Sequence, residues 1–234
     1  MKAEAKKGSI LGLEAVEITG SEKTHDHLTR VNLQLRPGSL CLVRPGRSLE
    51  SDLLLDACCG LHPIRGGRVL FLGRSWELLK PEAASDLRGL IGRIFGEERW
   101  IEHLSLADNL MLGQRQHSSL SQSRILQECH ERSLFFGLPG IPMGRPAESM
   151  ALDLFRAGCV RAFMGKPYLV LIEELPSNAL SAVFPGLING IREVRSRGGA
   201  VLWVTRARSV WEEASLDPDL RMVIEWNELK KVGS

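Results

Sequence analysis

The sequence predicts an α/β fold with a parallel sheet at its centre and an antiparallel β unit in front of it. Short, continuous apolar runs are typical of strands that are buried on both faces. Helical patterns lie between these runs, and alternating buried strands and helices indicate a parallel sheet. Between residues 11 and 35 the apolar residues partly alternate with polar ones, which favours antiparallel strands. The buried runs are residues 40–43, 168–172 and 200–205.

The N-terminal half contains mostly strands and turns, because glycine, proline and polar residues interrupt it often. Residues 1–9 predict a flexible tail, and a polar turn is expected over residues 20–27. The next elements are a tight turn at residues 36–38, a buried strand at 40–43, a helix at 53–59 that ends at Gly60, a strand at 68–72, a helix after Pro81 and a strand at 90–95.

The C-terminal half begins with a helical pattern and then returns to buried strands. From about residue 97 to residue 140 the apolar spacing is helical. The following elements are a helix at residues 152–164, a buried strand at 168–172, a helix at 183–197, a second buried strand at 200–205 and a short strand at 222–226.

Composition excludes several classes of protein. The chain has 234 residues, 44% of them hydrophobic, so it can bury a sizeable core, but no apolar run is long enough for a membrane span. A net charge of +2 does not favour nucleic acid. The basic N-terminus lacks an apolar signal core, which argues against secretion. Five cysteines without paired spacing predict buried free thiols and a reducing cytosol.

Residues 41–61 (CLVRPGRSLESDLLLDACCGL) have the outline of a phosphate-binding loop: a short apolar strand, a turn and an apolar helix. A working loop of this kind reads G-x-x-x-x-G-K-[ST], and its lysine reaches the phosphates. Arg44, Arg47 and Leu49 stand where glycines are expected, and Glu50 stands where the lysine belongs. Counting back from Gly60 instead shifts the frame by one residue.

The shifted frame places Ser51 at the lysine position, so neither frame supplies a lysine. The candidate phosphate-facing residues are therefore Arg47, Glu50, Ser51 and Asp52. Exchange of lysine for glutamate reverses a charge pair worth about 4 kcal/mol at about 4 Å and an effective dielectric constant of about 20. The affinity for Mg·ATP is expected to fall by orders of magnitude.

Several further segments follow one another in a characteristic order and spacing. These segments are Arg36-Pro37-Gly38, Gly60-Leu61 with Gly66-Gly67 and Gly73, residues 106–110 (LADNL), the frame of Arg156, Arg161, Ala162 and Pro167, residues 169–174 (LVLIEE) and residues 201–205 (VLWVT). Through these segments the chain resembles the nucleotide-binding domain of ABC transporters over residues 11–232.

The resemblance implies a P-loop NTPase-like mixed sheet with an antiparallel β subdomain and a helical subdomain. The α/β core would consist of residues 10–95 and 150–234, and the helical subdomain of residues 96–149. Within residues 97–135, which resemble the groove for a permease helix, an apolar cluster consists of Trp100, Ile101, Leu104, Leu106, Leu110, Met111 and Leu112.

The departures from the family pattern decide the expected function. Gly96 stands at the position of the Q-loop glutamine, and Arg206 stands at that of the switch histidine. The signature motif falls at residues 149–153 (SMALD), where no glycine remains, Ser149 is displaced and Asp153 would face phosphate.

The end of the strand at 169–172 carries the most family-like chemistry. Glu173 falls at the Mg²⁺-coordinating aspartate, and Glu174 falls at the glutamate that activates water. With a different placement of one inserted residue, Glu174 takes the metal position and Leu175 the base position. Alternatively, the two carboxylates form ion pairs with Arg47 or Arg206, since buried charges need partners.

The resemblance therefore implies a degenerate ATP-binding-cassette subunit, a pseudo-ATPase without tightly bound cofactor, in which weak ATP and Mg²⁺ binding remains open. The expected partners are a membrane permease and a second ABC ATPase subunit, in a homo- or heterodimer on the cytoplasmic face of the membrane. The alternatives are a slow or atypical ATPase that uses Glu173, Glu174 and the arginines, and a free-standing regulatory protein.

Overall fold

The fold contains two sheets with helices around the larger one. The computed structural model describes residues 8–20, 27–46, 48–97 and 99–232, and side chains from residue 51 onward within the first helix. Residues 1–7 of the tail predicted at residues 1–9, and residues 21–26 of the turn predicted at residues 20–27, lie outside the described residues.

The smaller sheet is antiparallel and has the strand order β2-β1-β4-β5. Inward and outward side chains alternate on β2, because one face of this sheet covers a core and the other meets solvent. The strands are β1 (Leu11–Thr19), β2 (His27–Leu35), β4 (Ile64–Phe71) and β5 (Arg74–Ser75). The predicted pair of antiparallel strands between residues 11 and 35 is present.

The larger sheet has the strand order β10-β9-β3-β8-β7-β6. Its neighbours from β9 to β6 are parallel, whereas β10 pairs antiparallel with β9. The strands are β3 (Leu40–Arg44), β6 (Ile91–Ile94), β7 (Leu169–Ile172), β8 (Ala200–Val204), β9 (Leu220–Glu225) and β10 (Glu228–Lys231). Every residue of β7 and β8 is buried, as their continuous apolar sequences predict.

The helices surround this larger sheet. They are α1 (Ser48–Cys58), α2 (Pro81–Arg88), α3 (Leu106–His117), α4 (Gln122–Phe135), α5 (Ala151–Phe163), α6 (Ser177–Ser196) and α7 (Arg208–Trp211). Helices α3, α4 and α5 contact one another and form the helical part of the molecule. None of the helices in the described part of the chain combines the length and the apolar character that a membrane crossing requires.

Alternate residues of the central strands enter two separate cores. In β8, Leu202 lies in the core shared with the antiparallel sheet and α1, whereas Trp203 lies in the core shared with α3, α5 and α6. Successive side chains of a strand point to opposite faces, so the parallel sheet separates these cores. At Gly92 of β6, an added Cβ would lie 1.9 Å from the carbonyl oxygen of Ala162 in α5. Strand β6 and helix α5 therefore touch through their backbones.

The predicted fold class is confirmed, but several boundaries were wrong. Helix α1 begins at Ser48 rather than at residue 53, and α6 begins at Ser177 rather than at residue 183. The buried stripe of α6 continues on both sides of Pro185, from Val183 to Leu187, so packing keeps the helix intact there.

Strand β10 was not predicted at all. A two-residue turn at Trp226 and Asn227 joins it to β9, and both residues have positive φ angles of 54° and 63°. Such turns usually contain glycine or asparagine followed by glycine, and a tryptophan at this position conceals the hairpin signal.

The predicted buried thiols are present. All five cysteines are free and buried. Desolvation by burial raises the pKa of Cys41 to about 12, and the pKa of Cys59 to about 11. These thiols stay protonated at neutral pH, which makes them poor nucleophiles.

A paired contact between α4 and α6 predicts an acid-sensitive step in stability. Both amino groups of Arg132 donate to the Glu193 carboxylate, at 2.6 Å for Oε2, and this hydrogen bonding lowers the pKa of Glu193 below its usual 4.5. The contribution is complete above pH 4.5 and is lost as the pH falls through the lowered pKa. Arg132→Gln should remove about 1 kcal/mol at pH 7, since Glu193 is partly exposed, and less at pH 3. Urea unfolding at both pH values measures this, and an equal loss at both would contradict it.

Candidate functional site

A cavity of about 360 Å³ lies where the carboxyl-terminal end of β7 meets the first turns of α1. Ligands of open α/β sheets bind outside the carboxyl ends of the strands, so this is the expected position for a site. The lining residues are Ser51, Asp52, Gly96, Glu97, Arg99, Glu173, Glu174, Leu175 and Pro176. The structure thus brings together Ser51, Asp52, Gly96, Glu173 and Glu174 from the predicted set.

The segment between β3 and α1 differs from a phosphate-binding loop in length. Helix α1 begins at Ser48, so three positions of the expected motif, Ser48 to Glu50, are already helical. Less backbone remains to wrap around phosphates than a glycine-rich loop provides. Arg47 and the side chain of Glu50, both predicted to face phosphate, lie outside the described residues.

Of the two predicted loop residues whose side chains the structure describes, Ser51 has an unsatisfied polar atom. Its side chain is buried, with 5% of the residue exposed, and its hydroxyl has no hydrogen-bond partner. In the unshifted frame this serine takes the [ST] position of the motif, whose hydroxyl binds Mg²⁺. Asp52 is half-buried and lines the same cavity.

Glu173 is buried, and both of its carboxylate oxygens accept hydrogen bonds from within the protein. Its Oε1 accepts a hydrogen bond from Nε of Arg93 at 2.8 Å, and its Oε2 accepts one from the Gly96 backbone N–H at 2.8 Å. Arg93 also pairs with Asp56 of α1. For the pair Glu173 and Glu174 the predicted partners were Arg47 or Arg206. Arg206 does lie beside Glu174 and Arg47 lies outside the described residues, whereas Arg93 was not predicted as the partner of Glu173. A charged residue within the predicted buried strand at 90–95 was the available signal, because such a charge needs a partner.

The pKa of the Arg93 guanidinium lies above its usual value. Burial by itself would lower this pKa, but the hydrogen bond to Asp56 and the charge of Glu173 outweigh the effect of burial. Arg93 is therefore permanently charged, and it ties β6, β7 and α1 together at the floor of the cavity.

Glu174 holds the end of β8. Its Oε1 accepts a hydrogen bond from the Thr205 hydroxyl at 2.8 Å, and its Oε2 accepts one from the backbone N–H of Arg206. The Arg206 guanidinium lies 3.6 Å from the same carboxylate. The residue at the position of the switch histidine thus contacts the residue at the position of the base.

Arg44 turns away from the cavity. Its guanidinium lies 4.4 Å from the ring centroid of Trp211 in α7, and the Trp211 Nε1 donates to the Thr205 carbonyl oxygen at 2.8 Å. Arg44 stands at a glycine position of the expected motif and is not among the described residues that line the cavity.

Gly96 sits against the backbone that follows Glu173. A Cβ at this position would lie 2.3 Å from the carbonyl oxygen of Glu174. The glutamine that the family carries here would therefore require the backbone to move.

The predicted signature residues lie apart from the cavity lining. Ser149 donates a hydrogen bond to the Arg145 carbonyl oxygen at 3.0 Å, just before α5 begins. Asp153, in the first turn of α5, forms an ion pair with Arg156 at 3.0 Å. Asp153 therefore has a counter-ion on its own helix.

The described lining of the cavity is rich in carboxylates. Among the described residues, Asp52, Glu97, Glu173 and Glu174 line it together with one arginine, Arg99. Carboxylates repel phosphate oxygens at close range. In the same part of the chain, no group of three His, Cys, Asp or Glu side chains is arranged to hold a metal ion.

Comparisons with known proteins indicate the class to which this fold corresponds. The dimeric structure of MJ0796, a bacterial ABC transporter cassette, matches with a TM-score of 0.81 and 19% sequence identity, and the match covers 96% of this chain and 99% of that chain. The fold is therefore that of an ATP-binding cassette.

Curated proteins show the same relationship in sequence. The Fe(3+) ions import ATP-binding protein FbpC of Agrobacterium fabrum is 25% identical over 205 residues, which are 87% of this chain and 56% of that protein. The phosphonates import ATP-binding protein PhnC of Alcaligenes faecalis is 30% identical over 174 residues, which are 69% of this chain and 62% of that protein. No protein-family model matches the chain.

This chain spans about half the length of the first curated relatives that it matches. Sequence and fold together support the resemblance to ATP-binding domains of ABC transporters. ATP binding is a property in the names of these relatives, and it is stated here of the relatives alone.

Gly96→Ala tests how tightly the cavity floor is built. The added methyl group would overlap the Glu174 carbonyl oxygen, so we expect a loss of about 1–3 kcal/mol in the free energy of unfolding, measured in urea. Gly113→Ala in α3 is the matched control, because nothing lies within 4 Å of its added Cβ. That control should be neutral or stabilising by up to about 1 kcal/mol. Similar effects for both variants would show that the Gly96 backbone is not constrained.

Proposed function

We propose that this chain is a degenerate ATP-binding-cassette subunit of a membrane transporter that does not hydrolyse ATP. It acts as a structural or regulatory partner of a permease, beside a second and competent ATPase subunit. In this function the protein lies at the cytoplasmic face of the membrane, held there through the permease.

The observation that carries this proposal is the reversal of charge in the cavity at the end of β7. Phosphoryl transfer depends on positioning and on positive groups that stabilise the phosphates. Here the lining contains carboxylates of Asp52, Glu97, Glu173 and Glu174. Each unscreened like-charge contact at about 4 Å opposes phosphate binding by up to about 4 kcal/mol at an effective dielectric constant of about 20.

Three arginines near this cavity already have partners within the protein. Arg93 pairs with Glu173 and Asp56, Arg206 lies beside Glu174, and Arg44 lies over Trp211. A phosphate group would have to compete with these contacts. The arrangement therefore favours a cassette whose fold persists without nucleotide.

A groove of about 450 Å³ between β6, α3 and α5 supports the assignment of a partner. Its apolar surface includes Phe95, Ile101 and Leu112. Arg88, Arg93, Arg99 and Arg161 also line it, and no carboxylate does so among the described residues. Arg93 is neutralised by its ion pairs. Arg88 and Arg99 add positive charge to the lining of the groove.

We assign this groove to the permease, and its charge selects an acidic, amphipathic segment of that partner. Part of the predicted apolar cluster, namely Ile101, Leu110 and Leu112, lines the groove. Leu106 and Met111 are buried in the core instead, and Trp100 lies under the guanidinium of Arg161 at 4.2 Å.

A peptide experiment tests the charge of the groove. The probe is a fluorescent amphipathic helical peptide with leucine on one face and glutamate on the other, and the comparison peptide carries lysine instead of glutamate. We expect the glutamate peptide to bind preferentially at low salt, and Arg99→Glu to weaken its binding about fivefold. Fluorescence anisotropy measures both affinities.

Arg124→Glu is the matched control, since Arg124 is exposed on α4 and lies in a different groove. It should leave the affinity for the glutamate peptide unchanged. Equal binding of both peptides, or equal losses in the two variants, would contradict a docking groove selected by charge.

A second candidate function is that of an atypical nucleotide-binding subunit, and Ser51 is the observation that favours it. Its buried hydroxyl lacks a partner at the position where the motif binds Mg²⁺. A cation bridging this hydroxyl and Glu174 would offset part of the negative charge in the cavity.

Thermal unfolding with and without millimolar Mg·ATP separates the two functions. A ligand that binds the native state raises its stability by RT ln(1 + [L]/Kd), which is about 2.7 kcal/mol at a ligand concentration of about 100 Kd. We expect no shift of Tm in the parent protein, and a shift in either Glu50→Lys or Ser51→Lys, which restore a lysine in the two frames. The variant that responds identifies the frame.

Millimolar Mg²⁺ without nucleotide is the control in each case. A clear Mg·ATP shift in the parent protein would reject the degenerate-subunit proposal in favour of an atypical nucleotide-binding subunit. Hydrolysis by the parent that is abolished in Glu174→Gln would establish the slow ATPase.

A further inference from the structure

We propose that the guanidinium of Arg93 is the built-in counter-cation of Glu173 and supplies the positive charge that a divalent cation would bring to this carboxylate. The inference deepens the proposed function and rests on it for the meaning of the Glu173 position. It explains how a cassette can keep its shape when no metal and no nucleotide bring positive charge to this place.

The contacts of Glu173 leave it little capacity for a metal ion. Arg93 approaches Oε1 with two nitrogens, Nε at 2.8 Å and Nη2 at 2.7 Å. The backbone N–H of Gly96 donates to Oε2 at 2.8 Å. A divalent cation at Oε1 would have to displace the guanidinium, because both bind the same oxygen and repel each other.

Burial makes this counter-cation necessary. The side chains of Arg93 and Glu173 are each only 7% exposed, so each would be costly to bury without the other. Asp56 adds a second carboxylate on the far side of the guanidinium. The trio spans α1, β6 and β7, so the positive charge is fixed by the fold from several directions.

The cavity beside this trio keeps the oxygen atoms of a cation site. The unpartnered hydroxyl of Ser51 and the carboxylates of Asp52 and Glu174 line it together with Glu173. Oxygen ligands of this kind suit Mg²⁺ and Mn²⁺. Removal of the guanidinium should therefore uncover a latent divalent-cation site.

Mn²⁺ alone is the probe, applied to the whole chain in thermal unfolding and in binding followed by electron paramagnetic resonance. The main variant is Arg93→Met/Asp56→Asn, which removes one positive and one negative charge and leaves Glu173 open. We expect millimolar Mn²⁺ to raise its Tm by at least about 3 °C. The parent protein should show no such rise.

Two further variants locate the effect. Addition of Glu173→Gln to the main variant should abolish the Mn²⁺ response. Arg132→Met/Glu193→Gln is the matched control, because it also removes one positive and one negative charge of an ion pair but does so between α4 and α6, away from the cavity, and it should behave like the parent.

Mn²⁺ binding to the parent as strong as to the main variant would overturn the inference. So would a folded main variant that ignores Mn²⁺, or one that folds neither with nor without it. Folding of the main variant only in the presence of Mn²⁺ would support the inference.

The result is separable from the test of the proposed function. A parent that responds to Mg·ATP but not to Mn²⁺ alone contradicts the proposed function and supports the role of Arg93. A parent that responds to Mn²⁺ alone but not to Mg·ATP supports the proposed function and contradicts the role of Arg93.

Discussion

The buried ion pair between Arg93 and Glu173 is the interaction on which the rest of the candidate site depends. It joins the ends of β6 and β7, and the contact with Asp56 fastens α1 to both. Because an unpaired charge would be costly at this depth, the three elements must keep their relative positions. The cavity walls, the close approach of Gly96 to Glu174 and the direction of α1 follow from that requirement.

The same ion pair lies between the two surfaces on which the proposed function rests. Arg93 lines the groove that we assign to the permease, and Glu173 lines the cavity rich in carboxylates. In a cassette that responds to nucleotide, a change at the phosphate end would have to reach the partner surface through elements of this kind. In the proposed structural subunit, the buried ion pair holds these elements in one arrangement.

Much of the fold could be predicted from the sequence, and less of the site. The parallel core strands were predicted because β7 and β8 are continuous apolar runs buried on both faces. The start of α1 and the β9–β10 hairpin were not, because Ser48 and Trp226 lack strong local signals. The positions of Glu173, Glu174 and Gly96 at one edge followed from motif order, but Arg93 was not predicted as the partner of Glu173, since it comes from a different strand.

The sequence by itself determined the alternation of strands and helices, the absence of a lysine in the loop after β3 and the presence of carboxylates after β7. These properties depend on local composition and on the period of apolar residues. Only the tertiary structure decided which charges meet. Residues 56, 93 and 173 lie far apart along the chain, and their pairing exists because the parallel sheet brings β6 beside β7 under α1. Burial of these side chains removes water as an alternative hydrogen-bond partner. The fold therefore decides which arginine pairs with each carboxylate.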